Sequence, residues 1–153
     1  SGAATLRGIA GGTYTLGLTH TDSAAVKRVM QAALSDAAAQ PGQIRLVKTH
    51  GIGSAAADEA EAAALHALLP DTPRAALKPF IGHTLGAAAI AETALLLSFL
   101  HQGALPPLPA AAAYAQTDAP LAAHGLTLDS GLYLMNFFGF GGSNTSIILE
   151  HRA

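Results

Sequence analysis

Residues 78–100 read KPFIGHTLGAAAIAETALLLSFL. Between residues 84 and 100 nearly every position is apolar or small, and Glu92 is the one charged residue. The composition predicts a long helix over residues 83–100, ended by Gly103. A helix without a polar face is buried on all sides. One sheet covers only one side of a helix, so we expect a second body to cover the other.

Shorter elements of alternating type surround this helix. Val26, Met30 and Leu34 recur four residues apart, the spacing of one helix face, and Pro41 ends that helix. The order β-α-β-α-β-α-β-β predicts an α/β fold with a mixed, mostly parallel sheet and a closing antiparallel hairpin. The predicted strands are residues 5–9, 13–18, 44–47, 75–77, 131–137 and 145–150, the predicted helices are residues 24–40, 58–69 and 83–100, and residues 105–120 form a loop.

The composition excludes several classes of protein. The 153 residues fit one domain with its own core, residues 1–153. A net charge of −2 and a charged fraction of 12% give no basic field for nucleic acid or an anionic membrane surface. Hydrophobic residues make up 50% and the mean hydropathy is +0.36, which indicates a deeply buried sheet or a surface covered by a partner.

Further features of the sequence argue against cysteine-based sites, a signal peptide and a membrane span. The sequence contains no cysteine, which excludes a disulfide, a thiolate metal site and a cysteine nucleophile within this chain. Its first residues lack the charged and apolar regions of a signal peptide. Residues 85–100 have about the minimum length of a membrane span, but Glu92 in their middle favours a buried helix, so we expect no span.

Three segments combine residue types that carry chemistry. Residues 48–54, KTHGIGS, place His50 directly after a predicted strand, with two glycines that let the backbone turn sharply. Residues 78–88, KPFIGHTLGAA, place His83 at the predicted helix N-terminus, where the helix dipole favours a neutral imidazole that donates an N–H. Residues 136–144, NFFGFGGSN, form a glycine turn that can present backbone N–H groups to an oxyanion.

Each segment alone has a simpler interpretation. A single histidine after a strand is most often a hydrogen-bonded structural residue, and a glycine turn is most often just a hairpin. A two-histidine metal site is weakly supported, because no carboxylate lies at ligand spacing from His50 or His83 and no two histidines are spaced i, i+4. We therefore expect no metal.

Together the three segments resemble the β-ketoacyl synthase family of condensing enzymes, which have a thiolase-like fold. The shared motifs are HG-x-G-[ST] with a following D-x-x-E, then K-x-x-x-x-G-H-x-x-G-A-A, then N-x-F-G-F-G-G-[ST]-N, within residues 44–150. The resemblance covers the C-terminal half of that fold. It implies a decarboxylative Claisen condensation of malonyl carrier protein with an acyl thioester, in fatty-acid or polyketide-type synthesis.

The resemblance implies roles for the two histidines and for an ion pair. His50 and His83 would donate hydrogen bonds to the thioester carbonyl oxygen while malonyl carrier protein loses carbon dioxide. Lys78 would order the site and pair with Glu92, fourteen residues later. This pairing gives a reason for one acidic residue in an apolar helix, because a buried charge needs a partner.

The glycine loop and the first motif supply the other implied site residues. Phe140, with its neighbours Gly139 and Gly141, would form an oxyanion hole for the acyl thioester, and its ring would gate the acyl pocket. Phe138 would line the malonyl side. Ser54 would meet the phosphopantetheine arm of the carrier protein.

Two acidic residues also match the family, and three positions differ from its usual residues. We interpret Asp58 and Glu61 as structural, with Asp58 capping a helix and Glu61 completing its capping box. Ile52 stands where the family usually has a threonine that touches the phosphopantetheine arm, Phe137 replaces a usual serine, and Ala89 replaces a usual glycine at a helix contact.

The resemblance also implies partners and a location. The carrier is an acyl carrier protein with its phosphopantetheine arm, and no intrinsic cofactor is implied. An N-terminal ketosynthase half, fused or separate, would supply the cysteine, so the chain alone is expected to be inactive. We expect a homo- or hetero-oligomer in the cytoplasm. Two alternatives remain: a non-catalytic partner subunit like a chain-length factor, although such factors tend to lose the histidines kept here, and a half-fold used only for association.

Overall fold

The computed structural model describes residues 3–14, 21–108 and 125–152. The strands and helices follow the chain as β1 (Ala3–Thr13), α1 (Ser23–Asp36), β2 (Ile44–Thr49), α2 (Ala55–Leu68), β3 (Arg74–Ala76), α3 (Lys78–Ile81), α4 (Ala88–Gln102), β4 (Ala104–Leu105), β5 (Leu126–Thr127), β6 (Gly131–Gly139) and β7 (Ser143–Arg152). Short 3-10 turns lie at Pro41–Gln43, Leu85–Ala87 and Phe140–Gly142.

Five strands form one mixed sheet in the order β1-β7-β6-β2-β3. β2 runs parallel to β3 and β6, whereas β7 runs antiparallel to β6 and β1. The α/β fold and the closing β6–β7 hairpin are thereby confirmed. The sheet contains more antiparallel pairing than the sequence predicted, because β1 adds to the outer edge of β7. The small β4–β5 ladder was not predicted.

Alternate residues of the central strands build one core on each face of the sheet. Val47, Leu134 and Ile148 are fully buried against α1 and α2. Their neighbours Leu46 and Met135 are buried against α4. Full burial of a side chain of this size contributes about 1.5–3 kcal/mol. The sheet is therefore held from both sides, and its strand ends are fixed in position.

The first helix begins as predicted but ends early. The Asp22 carboxylate caps α1 by accepting the backbone N–H of Ala25 at 2.8 Å. The helix ends at Asp36 and not at residue 40, because Ala38 adopts a left-handed φ of 51°. The predicted face of Val26, Met30 and Leu34 is buried. Of the second predicted strand, Thr13 belongs to β1 and residues 15–18 lie outside the described residues, as do residues 109–120 of the predicted loop.

The long helix starts later than predicted. α4 begins at Ala88, and the residues before it form the single turn α3 and a separate 3-10 turn. Leu85 interrupts the helix with a φ of 51°. Gly103, at a φ of 71°, ends α4 as predicted.

α4 is buried on one side only. Glu92, Leu96 and Leu100 face the sheet and are buried, but Ile90 is 78% exposed, and Leu85 in the 3-10 turn before the helix is 71% exposed. This agrees with the expectation that the sheet covers only one side of the helix, and the covering of the other side by a second body stays a prediction. An apolar groove of about 520 Å³ runs between α4 and the strands β1, β6 and β7. Its lining residues are Ile9, Ala89, Ile90, Thr93, Ala94, Leu97, Phe137, Thr145 and Ile147.

The 3-10 turn at Leu85–Ala87 and α4 together have the length and composition of a membrane span. Among the described residues, the stretch Leu85–Gln102 passes both requirements. Its Glu92 is fully buried and forms ion pairs with Lys48 and Lys78, which come from β2 and α3. Charges paired across elements in this way are typical of a domain core, so we interpret α4 as a core helix.

Candidate active site

The chemically unusual segments meet at the carboxyl ends of neighbouring strands. β2 is followed by His50, β3 shortly by Lys78, and β6 by the turn Phe140–Gly142. Because these three strands run parallel, their ends lie at the same edge of the sheet. His83 reaches this edge from the loop after α3.

His50 is held from three directions. Its backbone N–H donates to both carboxylate oxygens of Glu61 at 2.9 Å, and its carbonyl oxygen accepts from Lys78 Nζ at 2.5 Å. Its ring Nδ1 accepts the backbone N–H of Phe138 at 3.2 Å, and the two rings lie 4.9 Å apart between centroids. A neutral imidazole that accepts at Nδ1 carries its hydrogen on Nε2. His50 is therefore an Nε2–H donor.

The surroundings of His50 disfavour its charged form. Burial first, and then the positive charges of Lys78 and Lys48, lower the pKa of His50 from 6.5 to about 3. His83 acts in the same direction. The imidazole therefore stays neutral across the physiological pH range.

His83 faces the same site, and its ring accepts a backbone N–H at Nδ1 as that of His50 does. Its ring centroid lies 6.1 Å from that of His50, at an interplanar angle of 88°. Its Nδ1 accepts the backbone N–H of Leu85 at 3.1 Å, which again leaves the hydrogen on Nε2. The predicted position at a helix N-terminus is wrong, because α4 begins only at Ala88. A backbone N–H of the intervening turn, and not the α4 dipole, sets the tautomer.

The predicted ion pair between Lys78 and Glu92 is present, with 2.7 Å between Nζ and Oε1. A second lysine, Lys48, lies 2.5 Å from Oε2 of the same carboxylate. All three side chains are buried. No role was predicted for Lys48, although a charged residue within an apolar strand indicates that it needs a buried partner.

Asp58 and Glu61 accept backbone N–H groups after β2 and do not form the predicted helix cap. α2 begins three residues before Asp58, and Ser54 occupies its N-cap position. Asp58 instead accepts the backbone N–H groups of Ile52 at 3.2 Å and Gly53 at 3.0 Å. Burial raises the pKa of both carboxyl groups. Helix-forming residues upstream of Asp58 extend α2 towards its N-terminus, so Asp58 is not at the start of the helix. Both carboxylates bind the turn after β2 instead.

The glycine turn requires its glycines at two positions. Gly141 and Gly142 have φ values of 73° and 75°, in the region that favours glycine. A Cβ atom on Gly142 would lie 1.6 Å from the carbonyl oxygen of Tyr14. The turn leaves Phe140 75% exposed.

A cavity of about 510 Å³ joins these segments, a size typical of a small-molecule site. Of the predicted site residues, both histidines, Ser54, Phe138, Gly139 and Phe140 line it, whereas Lys78, Glu92, Asp58, Glu61 and Gly141 do not. The remaining lining residues are Thr21, Ile52, Ala57, Leu85, Gly86, Gly142 and Asn144. Chemically, the cavity offers imidazole N–H donors within mostly apolar walls.

Comparison with known families gives the same result as the motifs. Residues 3–111 match the family described as Beta-ketoacyl synthase, C-terminal domain. The chain belongs to the β-ketoacyl synthase family. The resemblance stated from the three motifs and the thiolase-like fold are both confirmed.

Relatives of this ketosynthase domain are much longer than the chain. Polyketide synthase ThaG of Burkholderia thailandensis is 33% identical over 89% of this chain, which covers 3% of that protein. A β-ketoacyl synthase of Burkholderia phymatum superposes with a TM-score of 0.87 at 28% identity, covering 98% of this chain and 38% of that one. A complex of ketosynthase ApeO with its chain length factor ApeC from Xenorhabdus doucetiae gives 0.85 at 26% identity, covering 96% and 39%. The chain therefore spans well under half of the relatives it matches.

Proposed function

We propose that this chain is the C-terminal half of a 3-oxoacyl-[acyl-carrier-protein] synthase, which condenses malonyl carrier protein with an acyl thioester in fatty-acid or polyketide-type synthesis. The observation that carries the proposal is the pair of imidazoles on one cavity. Each accepts a backbone N–H at Nδ1 and so presents Nε2–H as a donor. Family membership and the likeness to a polyketide synthase support it.

The two donors suit the loss of carbon dioxide from a malonyl thioester. When the bond to the carboxylate breaks, its electron pair moves into the thioester and negative charge develops on the carbonyl oxygen. His50 and His83 would stabilise that oxygen with fixed N–H dipoles. A neutral imidazole is a much weaker acid than an imidazolium, so the low pKa of His50 protects the enolate from premature protonation. The enolate carbon then attacks the acyl thioester, and a carbon–carbon bond replaces the carbon–sulfur bond.

The acyl group needs a covalent holder that this chain does not contain. The sequence has no cysteine, so we assign the nucleophile to an N-terminal ketosynthase half, fused or separate. The exposed apolar side of α4, with Ile90 78% exposed, supports a second body at this face. Lys78 and Glu92 would hold the site residues in position without lining the cavity themselves. The chain alone is expected to be inactive.

The glycine loop and the turn after β2 would complete the site. Phe140, with Gly139 and Gly141, would provide the oxyanion hole and the gate, and its exposure leaves its ring room to move. Phe138 would line the malonyl side, and Ser54 would meet the phosphopantetheine arm of an acyl carrier protein. We assign no intrinsic cofactor. A cytoplasmic homo- or hetero-oligomer follows from the same proposal.

A non-catalytic role beside a true ketosynthase is the second candidate. It is favoured by the likeness to a chain in a ketosynthase complex with its chain length factor and by the missing cysteine. A subunit of that kind needs no decarboxylating histidines. His50 and His83 keep the geometry of hydrogen-bond donors, so we rank this candidate below the catalytic proposal. A role in association alone ranks below it for the same reason.

Decarboxylation of malonyl carrier protein by the complete ketosynthase tests the two histidines. We expect His50→Ala and His83→Ala each to lower the rate by about 10²–10³, the usual effect of removing an oxyanion donor. His101→Ala, on the exposed end of α4, is the matched control and should keep the full rate. An unchanged rate in both site variants would exclude the catalytic proposal and favour the non-catalytic one.

A further inference from the structure

Lys48 is a fully buried lysine for which the proposed mechanism has no use. Its Nζ lies 2.5 Å from Glu92 Oε2, donates to the carbonyl oxygen of Asn136 at 2.8 Å, and lies 3.7 Å from the centroid of the Phe137 ring. Lys78 holds the other oxygen of Glu92 at 2.7 Å. Two ammonium groups therefore share one carboxylate in the core.

This arrangement is poorly suited to stabilising the fold. Buried ion pairs gain little over apolar residues of the same size, and this one carries an excess positive charge. Burial lowers the pKa of Lys48 to about 8; Glu92 opposes that shift, and Lys78 adds to it. The Lys48 ammonium is therefore still protonated at pH 7 despite its surroundings. A charge held at such a cost points to a role other than packing.

Lys48 lies where β2 and β6 stop pairing. The last pair of their backbone ladder joins Lys48 to Met135. Beyond this pair, Lys48 Nζ donates to the carbonyl oxygen of Asn136, and the N–H of Phe138 donates to Nδ1 of His50. These two bonds link the end of one strand to the end of the other. On its β7 side this part of β6 is held by the ladder that pairs Phe138 with Asn144, and on its β2 side by the bond from Lys48 to Asn136 two residues earlier.

We infer that Lys48 is a positioning residue, which holds the end of β6 so that Phe138 fixes His50 as its Nε2–H tautomer. The inference rests on the proposed function of His50 as a hydrogen-bond donor. Lys48 acts through β6 and does not line the cavity.

The charge of Lys48 acts on the same imidazole. Lys78, Lys48 and His83 are the positive or titrating neighbours that disfavour the charged ring of His50. The carboxylate of Glu61 faces the backbone N–H of His50. Removing the Lys48 charge should therefore raise the pKa of His50 from its value of about 3.

The variant Lys48→Met in the complete ketosynthase tests this inference, with Lys27→Met on α1 as the matched control. Histidine-selective ¹⁵N NMR reports which ring nitrogen carries the hydrogen, and the spectrum of His50→Gln assigns the signal. We expect Lys48→Met to populate the Nδ1–H tautomer, to raise the pKa of His50, and to lower kcat for malonyl decarboxylation about 10-fold with KM within about 2-fold. Lys27→Met should change none of these.

Two results would overturn the inference. The first is a Lys48→Met protein in which the tautomer and the titration of His50 are unchanged. The second is a Lys48→Met protein that shows no cooperative melting transition by circular dichroism while Lys27→Met does, because Lys48 would then be a stability residue. Failure of the proposed function is a separate outcome. It appears as unchanged decarboxylation in His50→Ala and His83→Ala, whereas the NMR measurement needs no turnover.

Discussion

The backbone N–H of Phe138 donates to Nδ1 of His50 across 3.2 Å, and this bond joins the strand that leads into the glycine loop to the first histidine. The bond exists only while Nδ1 is unprotonated. Acid must therefore break it before His50 becomes charged. The protonation state of one buried imidazole is in this way coupled to the turn that carries Phe140.

The low pKa of His50 predicts a stability that falls in acid. The unfolded imidazole titrates near 6.5 and the folded one near 3, so the unfolded state binds the proton first and stability is lost as the pH falls below 6.5. Between pH 7 and pH 5 this group alone should lower the free energy of unfolding by about 2 kcal/mol.

Urea denaturation of the wild type and of His50→Gln at both pH values measures this effect. The wild type should lose about 2 kcal/mol more than the variant. The raised pKa values of Asp58 and Glu61 act in the opposite direction, since they favour the folded state in acid, but they are common to both proteins. Identical pH dependence of the two proteins would contradict the prediction.

Glu92→Gln should destabilise the chain strongly. The substitution leaves the buried ammonium groups of Lys48 and Lys78 without their shared carboxylate, which typically costs about 3–5 kcal/mol. Glu59→Gln, on the exposed side of α2, is the matched control and should stay within about 0.5 kcal/mol. Thermal unfolding at pH 7 and pH 9 checks both points, because the deficit should shrink as Lys48, whose pKa burial lowers to about 8, loses its proton. A Glu92→Gln protein as stable as the wild type would mean that water reaches the pair.

The site was more predictable from the sequence than the ends of the helices. The motifs around His50, His83 and Phe140 have unusual residue types at fixed spacing, and parallel strands bring their ends together. The Lys78–Glu92 pair followed from the spacing that the resemblance implied. Motifs defined by residue type and spacing stay recognisable even when the predicted end of a helix is wrong by one turn.

Other features depend on three-dimensional context that a linear pattern does not contain. Leu85 breaks the helix by adopting a positive φ within an apolar run, where periodicity gives no sign of it. Alanines upstream of Asp58 allow α2 to begin one turn early, which turns an expected cap into a loop anchor. Lys48 belongs to no motif, and its role emerges only from the meeting of β2, β6 and α4. The outer side of α4 is apolar and exposed, as at Ile90, and the proposed second body would cover it.

Gly142→Ala should destabilise the glycine turn, whereas Gly139→Ala should be tolerated. Gly142 has a φ of 75°, and a Cβ there would meet the carbonyl oxygen of Tyr14 at 1.6 Å. Gly139 has a φ of −124°, and its Cβ would come no closer than 3.8 Å to Ser143. We expect a loss of more than about 2 kcal/mol for the first and less than about 1 kcal/mol for the second, measured by differential scanning calorimetry. Equal melting temperatures for the two variants would count against the close approach of Tyr14.

Ile90→Glu should leave the stability of the isolated chain unchanged but disturb its attachment to a second body. Ile90 is 78% exposed, so the isolated chain should keep its free energy of unfolding within about 0.5 kcal/mol. Leu96→Ala, on the buried side of the same helix, is the positive control and should cost about 2–5 kcal/mol.

In the complete ketosynthase the outcome for Ile90→Glu should reverse. If the second body covers α4, the new carboxylate is buried without a partner, and its desolvation should lower the melting temperature or prevent assembly of the two halves. Ala24→Glu, at an exposed position of α1, adds the same charge away from the groove and should have no effect. Calorimetry and size-exclusion chromatography of the complete protein distinguish the two variants. Full stability and normal assembly of Ile90→Glu would show that the outer side of α4 stays in water, and the proposed covering half would have to lie elsewhere.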